Sequence, residues 1–329
     1  MTQNASEIDI KLAIVGHSLI HPRQQAFFKE VSRQGAEVLM ISPGQWGNLR
    51  TVASKGTGWE LKTCRHMGGD NVYDYQLLGA EDIVKEFKPD WLYVQSEPGS
   101  FLANQAVLWE ASRKALFTWE NISIKGNSDI LEYYDLIICG NPEAEALVKP
   151  YNDNTALLLQ VGVDTDHFQA RPDVPRDVRV AYIGRKTPEK GLPYLLQAWP
   201  TAMISNWVDY RELPWRYSQA QVVVGYSQDV PFWKEQAPNY TILESLSCRC
   251  RGVVSDTAAM AYWLKDCPAV VIVEGHEQPD GDLRANRVVA LREGIQKALD
   301  MPIGEEGRLW IKERFGSEVM ARNLLEVLR

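Results

Sequence analysis

The chain contains no run of apolar residues near the roughly 20 needed to cross a bilayer. Its longest apolar stretches, around Asp135 to Cys139 and Ala269 to Val273, have the length of buried strands. The first nine residues lack the basic-then-apolar order of a secretory leader. A cytoplasmic protein is therefore expected. Cysteine is scarce: Cys64, Cys139, Cys248, Cys250 and Cys267 are odd in number and irregularly spaced, which fits reduced core thiols and not a disulfide frame. Cys248 and Cys250 are separated by one residue, a poor spacing for zinc ligands, and no metal site is expected. Positive charge is in deficit, with a net charge of -8, so there is no global field to gather nucleic acid or anionic lipid. A nucleic-acid partner is disfavoured. Peripheral membrane contact through an amphipathic surface stays open, because it needs no basic protein overall. Fixed-period repeats and low-complexity tracts are also missing, which excludes solenoids and long disordered tails.

What the chain does have is enough apolar material for two cores: 329 residues, 45% of them hydrophobic. Short β-rich runs alternate with amphipathic stretches, the pattern of parallel sheets covered by helices on both faces, so the fold class is α/β. Lys11-Leu-Ala-Ile-Val-Gly16 reads as a strand closing on a glycine. A helix carrying Phe27, Phe28 and Val31 on one side follows, Gly35 ends it, and Val38-Leu-Met-Ile41 is the next strand, giving a βαβ opening. Further strands are expected at Trp91–Val94, Ala115–Thr118, Leu136–Cys139 and Ala156–Leu159, and then at Val178–Ile183, Val222–Val224, Val253–Val254 and Ala269–Val273. The expected domains are 1–162 and 163–311, with a C-terminal helix, 312–329, packing back on the first.

Gly184-Arg185-Lys186-Thr-Pro-Glu-Lys190-Gly191 follows a strand and precedes a helical run, a position suited to phosphate. Arg185 and Lys190 there would neutralise a diphosphate and stabilise a departing anion. The alternative is a helix start at Thr187-Pro188 with both cations solvated. Glu235-Gln236-Ala-Pro-Asn239-Tyr240-Thr241-Ile-Leu-Glu244 is a loop entering a helix, whose free amides suit a phosphate. Glu244 is expected in the first turn, where a carboxylate could accept hydrogen bonds from a ribose. Its spacing from Thr241 equally fits a capping box.

In order, Gly184-Arg185 with Lys190-Gly191, then Thr241-Ile-Leu-Glu244-Ser-Leu-Ser-Cys248, then Gly252-Val-Val-Ser-Asp256, resemble the donor site of glycosyltransferase family 4. Val161-Gly-Val-Asp164 with Phe168 resembles that family's interdomain stretch, and Phe117-Thr-Trp-Glu-Asn-Ile122 and Cys139-Gly-Asn-Pro-Glu-Ala144 resemble N-terminal segments of one subgroup. The resemblance implies the GT-B architecture, two Rossmann-like domains facing across a cleft, the second with a reduced sheet. It implies retaining transfer of a hexose-type sugar from a nucleotide-diphosphate sugar, UDP-sugar foremost, with no metal or other cofactor. The acceptor would be a hydroxyl on a small molecule, a glycan or a lipid-linked precursor.

By the same resemblance Arg185 and Lys190 bind the diphosphate beside Gly184, Glu244 binds the ribose, and the loop through Gln236, Asn239, Tyr240 and Thr241 faces the phosphates and donor sugar. Gly16 and His17 occupy the first N-terminal glycine loop, and Glu120 or Asn121 stands where many relatives carry a histidine near the reacting centre. Three departures accompany it. Gln236 aligns with the family's first donor-site glutamate while Glu235 is one residue off, Ala258-Ala259 replaces a glycine pair, and a strand and helix are expected to be missing between Trp199 and Val208. A transferase acting on a modified nucleic-acid base and a non-catalytic sugar-nucleotide-binding protein are the alternatives.

Overall fold

Ala13, Ile14 and Val15 are wholly buried, because the strand that carries them lies inside a sheet covered on both faces. The computed structural model describes residues 10–206, 208–230, 232–274 and 283–329. The chain divides into two units, Met1–Gly162 with Met320–Arg329, and Val163–Val319.

The strands of the first unit are β1 (Ile10–Val15), β2 (Ala36–Pro43), β3 (Gln45–Trp46), β4 (Leu49–Arg50), β5 (Ser54–Gly56), β6 (Trp59–Met67), β7 (Gln76–Leu78), β8 (Trp91–Gln95), β9 (Arg113–Thr118), β10 (Leu136–Cys139) and β11 (Thr155–Leu157). The main sheet runs β11-β10-β9-β8-β1-β2-β6-β5. It is parallel from β11 to β6, while β5 and β7 both pair antiparallel with β6. Between β1 and β2 lies α1 (Pro22–Arg33), with Pro at its start and Phe27, Phe28 and Val31 turned inward. Gly35 adopts φ 105 after it, a left-handed stop. The helices α2 (Ala80–Phe87), α3 (Phe101–Val107) and α4 (Pro142–Val148) supply further crossovers, and Val84, Leu102, Ala106 and Val148 join the core beneath the sheet.

The second unit holds β12 (Val178–Ile183), β13 (Met203–Ser205), β14 (Ala220–Gly225), β15 (Arg251–Ser255) and β16 (Val270–Val273) in the order β13-β12-β14-β15-β16, all parallel. Its helices are α5 (Leu192–Ala198), α6 (Leu213–Gln219), α7 (Tyr240–Ser247), α8 (Ala258–Leu264), α9 (Leu283–Asp300) and α10 (Glu306–Arg314), and α11 (Ser317–Val327) leads back into the first unit. Leu195, Val222, Val224, Leu291 and Ile295 meet in its core.

One expectation is corrected here. The interval from Trp199 to Val208 does hold a strand, β13, paired to β12 at the sheet edge. Three half-buried residues are too few to show a period of two. All five cysteines are buried and free. Among the described residues no helix is long and apolar enough to cross a membrane.

Candidate functional site

In the second unit the loops leaving β12, β14 and β15 emerge at the carboxyl ends of parallel strands, where α/β sheets present their ligands. Gly184 to Gly191 leaves β12. Its Pro188–Lys190 portion is an isolated 3-10 turn, and α5 starts afterwards at Leu192 with Pro193 in its first turn, so Thr187-Pro188 does not cap that helix. Gly191 separates the two with φ 67, and a Cβ there would lie 1.9 Å from the Tyr226 carbonyl oxygen. Only glycine fits that close approach.

This turn aims Lys190 inward. Its Nζ is 2.6 Å from Glu235 Oε2, with the two side chains 12% and 7% exposed. Ser227 Oγ, just beyond β14, donates to the same Glu235 oxygen at 2.5 Å, and Lys190 lies 4.7 Å above the Trp233 ring. The Glu235 amide donates to Asp229 Oδ1 at 3.0 Å, which fixes the loop. Arg185 is exposed and makes no ion pair among the described residues. Gln236 is half-buried, so at this pair of positions it is the Glu235 carboxylate that reaches the lysine.

Asn239 caps α7: at φ 56 its side chain accepts from the Thr241 amide at 3.2 Å. Asparagine tolerates that left-handed backbone better than other side-chain-bearing residues. With the cap at Asn239, Tyr240 and Thr241 are the first two helical residues and Glu244 lies beyond the first turn. The capping-box reading of Thr241 and Glu244 is thereby excluded, and so is the first-turn position. Glu244 is 1% exposed and accepts from the Tyr217 hydroxyl at 2.8 Å.

The first unit gathers a second polar group at the carboxyl edge of its own sheet. Gly16 follows β1 so closely packed on β8 that a Cβ would lie 2.6 Å from the Gln95 carbonyl oxygen. The His17 amide donates to the Tyr75 hydroxyl at 2.9 Å, and its ring stacks obliquely on Trp46 at 4.7 Å. Burial, aided by the charge of His21, lowers His17 to about 4, so its imidazole is neutral near neutral pH. Glu120, beyond β9, is 4% exposed and accepts a hydrogen bond from the Tyr73 hydroxyl. Its amide donates to Glu97 Oε2 at 3.0 Å, an oxygen that also accepts from Thr118 Oγ1 at 2.6 Å and from the Trp119 amide at 3.2 Å. Burial, with the Glu120 charge beside it, raises Glu97 to about 7 against those hydrogen bonds. Asn121 instead donates to Glu143 at 3.2 Å.

No family model matches the chain, and no curated protein matches its sequence. Solved structures do match. Sucrose-phosphate synthase from Thermosynechococcus elongatus superposes with a TM-score of 0.70 at 14% identity, over 97% of this chain and 98% of that one. A glycosyltransferase from Rickettsia africae gives 0.68 at 14% identity, over 97% and 98%. HepE of Anabaena, in complex with UDP-glucose, gives 0.64 at 12% identity, over 97% and 99%. The fold is GT-B.

Within this GT-B chain the expected residues fall into two groups. Gly184, Arg185, Lys190, Gln236, Asn239, Tyr240, Thr241 and Glu244 belong to the second unit, and Gly16, His17 and Glu120 to the first. Sequence reasoning missed the partners that hold them: Tyr217 on Glu244, Ser227 on Glu235, and Tyr73 and Glu97 around Glu120. It also missed Arg287 of α9, which donates to Gln228 Oε1 at 2.7 Å and so brings another cation to the loop after β14. Glu97 had one readable signal, an acid two residues past a fully buried strand.

Proposed function

We propose that this chain is a glycosyltransferase that moves a hexose-type sugar from a nucleotide-diphosphate sugar to a hydroxyl acceptor with retention of configuration and without a metal, as the resemblance to glycosyltransferase family 4 implies. The observation that carries it is the constellation of exposed Arg185 with Lys190, Glu235 and Ser227 at the carboxyl edge of a GT-B second unit. Two cations beside strand ends match a diphosphate leaving group. As the bond from the anomeric carbon to the phosphate oxygen breaks, a bond to the acceptor oxygen forms on the same face of the sugar and the acceptor hydroxyl's proton passes to the departing phosphate oxygen, while the two cations meet the charge left on the nucleoside diphosphate. Glu235, which neutralises Lys190, is the carboxylate to receive donor-sugar hydroxyls, and its place beside Lys190 supports assigning it that role ahead of its neighbour Gln236. Glu244 takes the ribose, oriented by Tyr217. The UDP-glucose held by HepE supports a UDP-sugar as the first donor to test.

The first unit is proposed to serve the acceptor. Its neutral His17 and the Glu97 and Glu120 carboxyls offer hydrogen-bond acceptors for a hydroxyl. Thermal shifts with UDP, GDP and ADP and their glucose conjugates, in EDTA, test the donor half. One nucleotide family is expected to stabilise the wild type and not Arg185→Ala. Absence of any nucleotide effect on the wild type would overturn the reading.

A further inference from the structure

The first unit contains a cavity of about 610 Å³ lined by Arg50, Arg65, His66, Gly68, Gly69 and Asp70 among others, a volume in the range of small-molecule sites. Its walls come from two places in the sequence. Arg50 is the last residue of the β3-β4 hairpin, paired opposite Gln45. The loop that carries it is closed by the Thr51 amide on the Gly44 carbonyl at 3.2 Å and tied to α1 by Gln25 Nε2 on Thr51 Oγ1 at 3.1 Å. Arg65 and His66 come from the carboxyl end of β6, where β7 pairs with them as Arg65↔Leu78 and His66↔Leu77. Both arginines are therefore held on ordered backbone.

The charges in this cavity do not cancel. His66 Nε2 lies 3.2 Å from Asp70 Oδ1, the one acid on these walls. Among the described residues Arg50 and Arg65 have no ion pair. Arg50 and Arg65, both exposed, stand against the single aspartate on the walls of one concavity, and in a chain of net charge -8 this local excess of positive charge favours an anionic ligand. A phosphate monoester offers enough acceptor oxygens for both guanidinium groups at once, whereas a single carboxylate has two, enough for one. Trp46 links the cavity to the proposed reacting side, its ring centroid 5.5 Å from His66 and 4.7 Å from His17.

We infer that this cavity binds a phosphate monoester carried by the acceptor, with Arg50 and Arg65 as the specificity-determining residues. The assignment to the acceptor rests on the proposed transfer reaction; the phosphate site itself does not. Calorimetric titrations on the full chain with inorganic phosphate, glucose 6-phosphate and glucose test it, alongside flotation with phosphatidylcholine vesicles with and without phosphatidylinositol 4-phosphate. At least one phosphate-bearing probe is expected to bind while glucose and plain vesicles do not. The Arg50→Ala/Arg65→Ala variant should weaken that binding tenfold or more, and Lys55→Ala, on exposed β5, should leave it unchanged. Soluble probes binding would assign a free sugar phosphate, and binding confined to the phosphoinositide vesicles would assign a lipid headgroup. Equal binding of glucose and glucose 6-phosphate, no binding of any phosphate probe, or unchanged binding in the double variant overturns the inference. UDP binding, measured on the same samples, is expected to survive the double variant. Its absence from the wild type would count against the transfer reading alone.

Discussion

Lys190 and Glu235 neutralise each other at 2.6 Å although they lie 45 residues apart, and both side chains are largely withdrawn from solvent. Removing one partner strands the other as a shielded charge, which typically costs about 3 kcal/mol or more. Lys190→Ala and Glu235→Ala are each expected to lower stability by about that amount, and the double variant by clearly less than the sum. Urea unfolding of the four proteins measures the coupling, and strict additivity would contradict the pairing. On binding, Lys190→Ala should lose at least tenfold in nucleoside-diphosphate affinity, read by calorimetry.

Gly191 and Gly47 have similar left-handed backbones, φ 67 and φ 55, but different surroundings. A Cβ at Gly191 meets the Tyr226 oxygen at 1.9 Å, whereas nothing lies within 4 Å of one at Gly47. Gly47→Ala should cost about 1 kcal/mol, the strain of the backbone alone. Gly191→Ala should cost clearly more and also weaken nucleotide binding, because the turn that aims Lys190 must shift. Melting temperatures of the two variants, side by side, separate strain from collision.

The carboxyl of Glu97 is raised to about 7 from 4.5, chiefly by burial. A folded-state value above the unfolded one means that its stabilising contribution is complete below about 4.5 and is lost as pH rises through about 7. Glu97→Gln keeps an acceptor oxygen but cannot ionise. The wild type should therefore lose melting temperature relative to Glu97→Gln between about pH 5 and pH 8, the interval set by this shift. A constant difference between the two across that interval would contradict it.

Much of the fold was legible because its central strands are continuous apolar runs between turn signals, as in β1, β9 and β10, and α1 shows its apolar stripe directly. β6 was not read: Trp-Glu-Leu-Lys-Thr-Cys-Arg-His-Met buries only Leu61 and Cys64 fully enough to count as core, and neither alternation nor an apolar run marks it. α9 also went unassigned, since its buried stripe of Val288, Leu291, Ile295 and Ala298 is narrow and interrupted by charged residues. In the candidate site, residue order carried the turn from Gly184 to Gly191 that holds Arg185 and Lys190, because neighbours in sequence stay neighbours in a loop. The partners were invisible for the opposite reason. Tyr73 meets Glu120 from 47 residues away and Tyr217 meets Glu244 from 27, and only the packing of separate elements against one another brings such residues together.

The division of the chain also orders its synthesis. The first unit includes Met320–Arg329, with Leu324, Leu325 and Leu328 buried, so the ribosome delivers these core side chains only after the whole of the second unit. The second unit is one uninterrupted segment and can complete itself during translation, whereas the first must wait with part of its apolar surface uncovered. Anyone exchanging the second unit between relatives is therefore performing an insertion with two junctions, at Gly162/Val163 and at Val319/Met320, and a single-point fusion would leave the first unit unfinished.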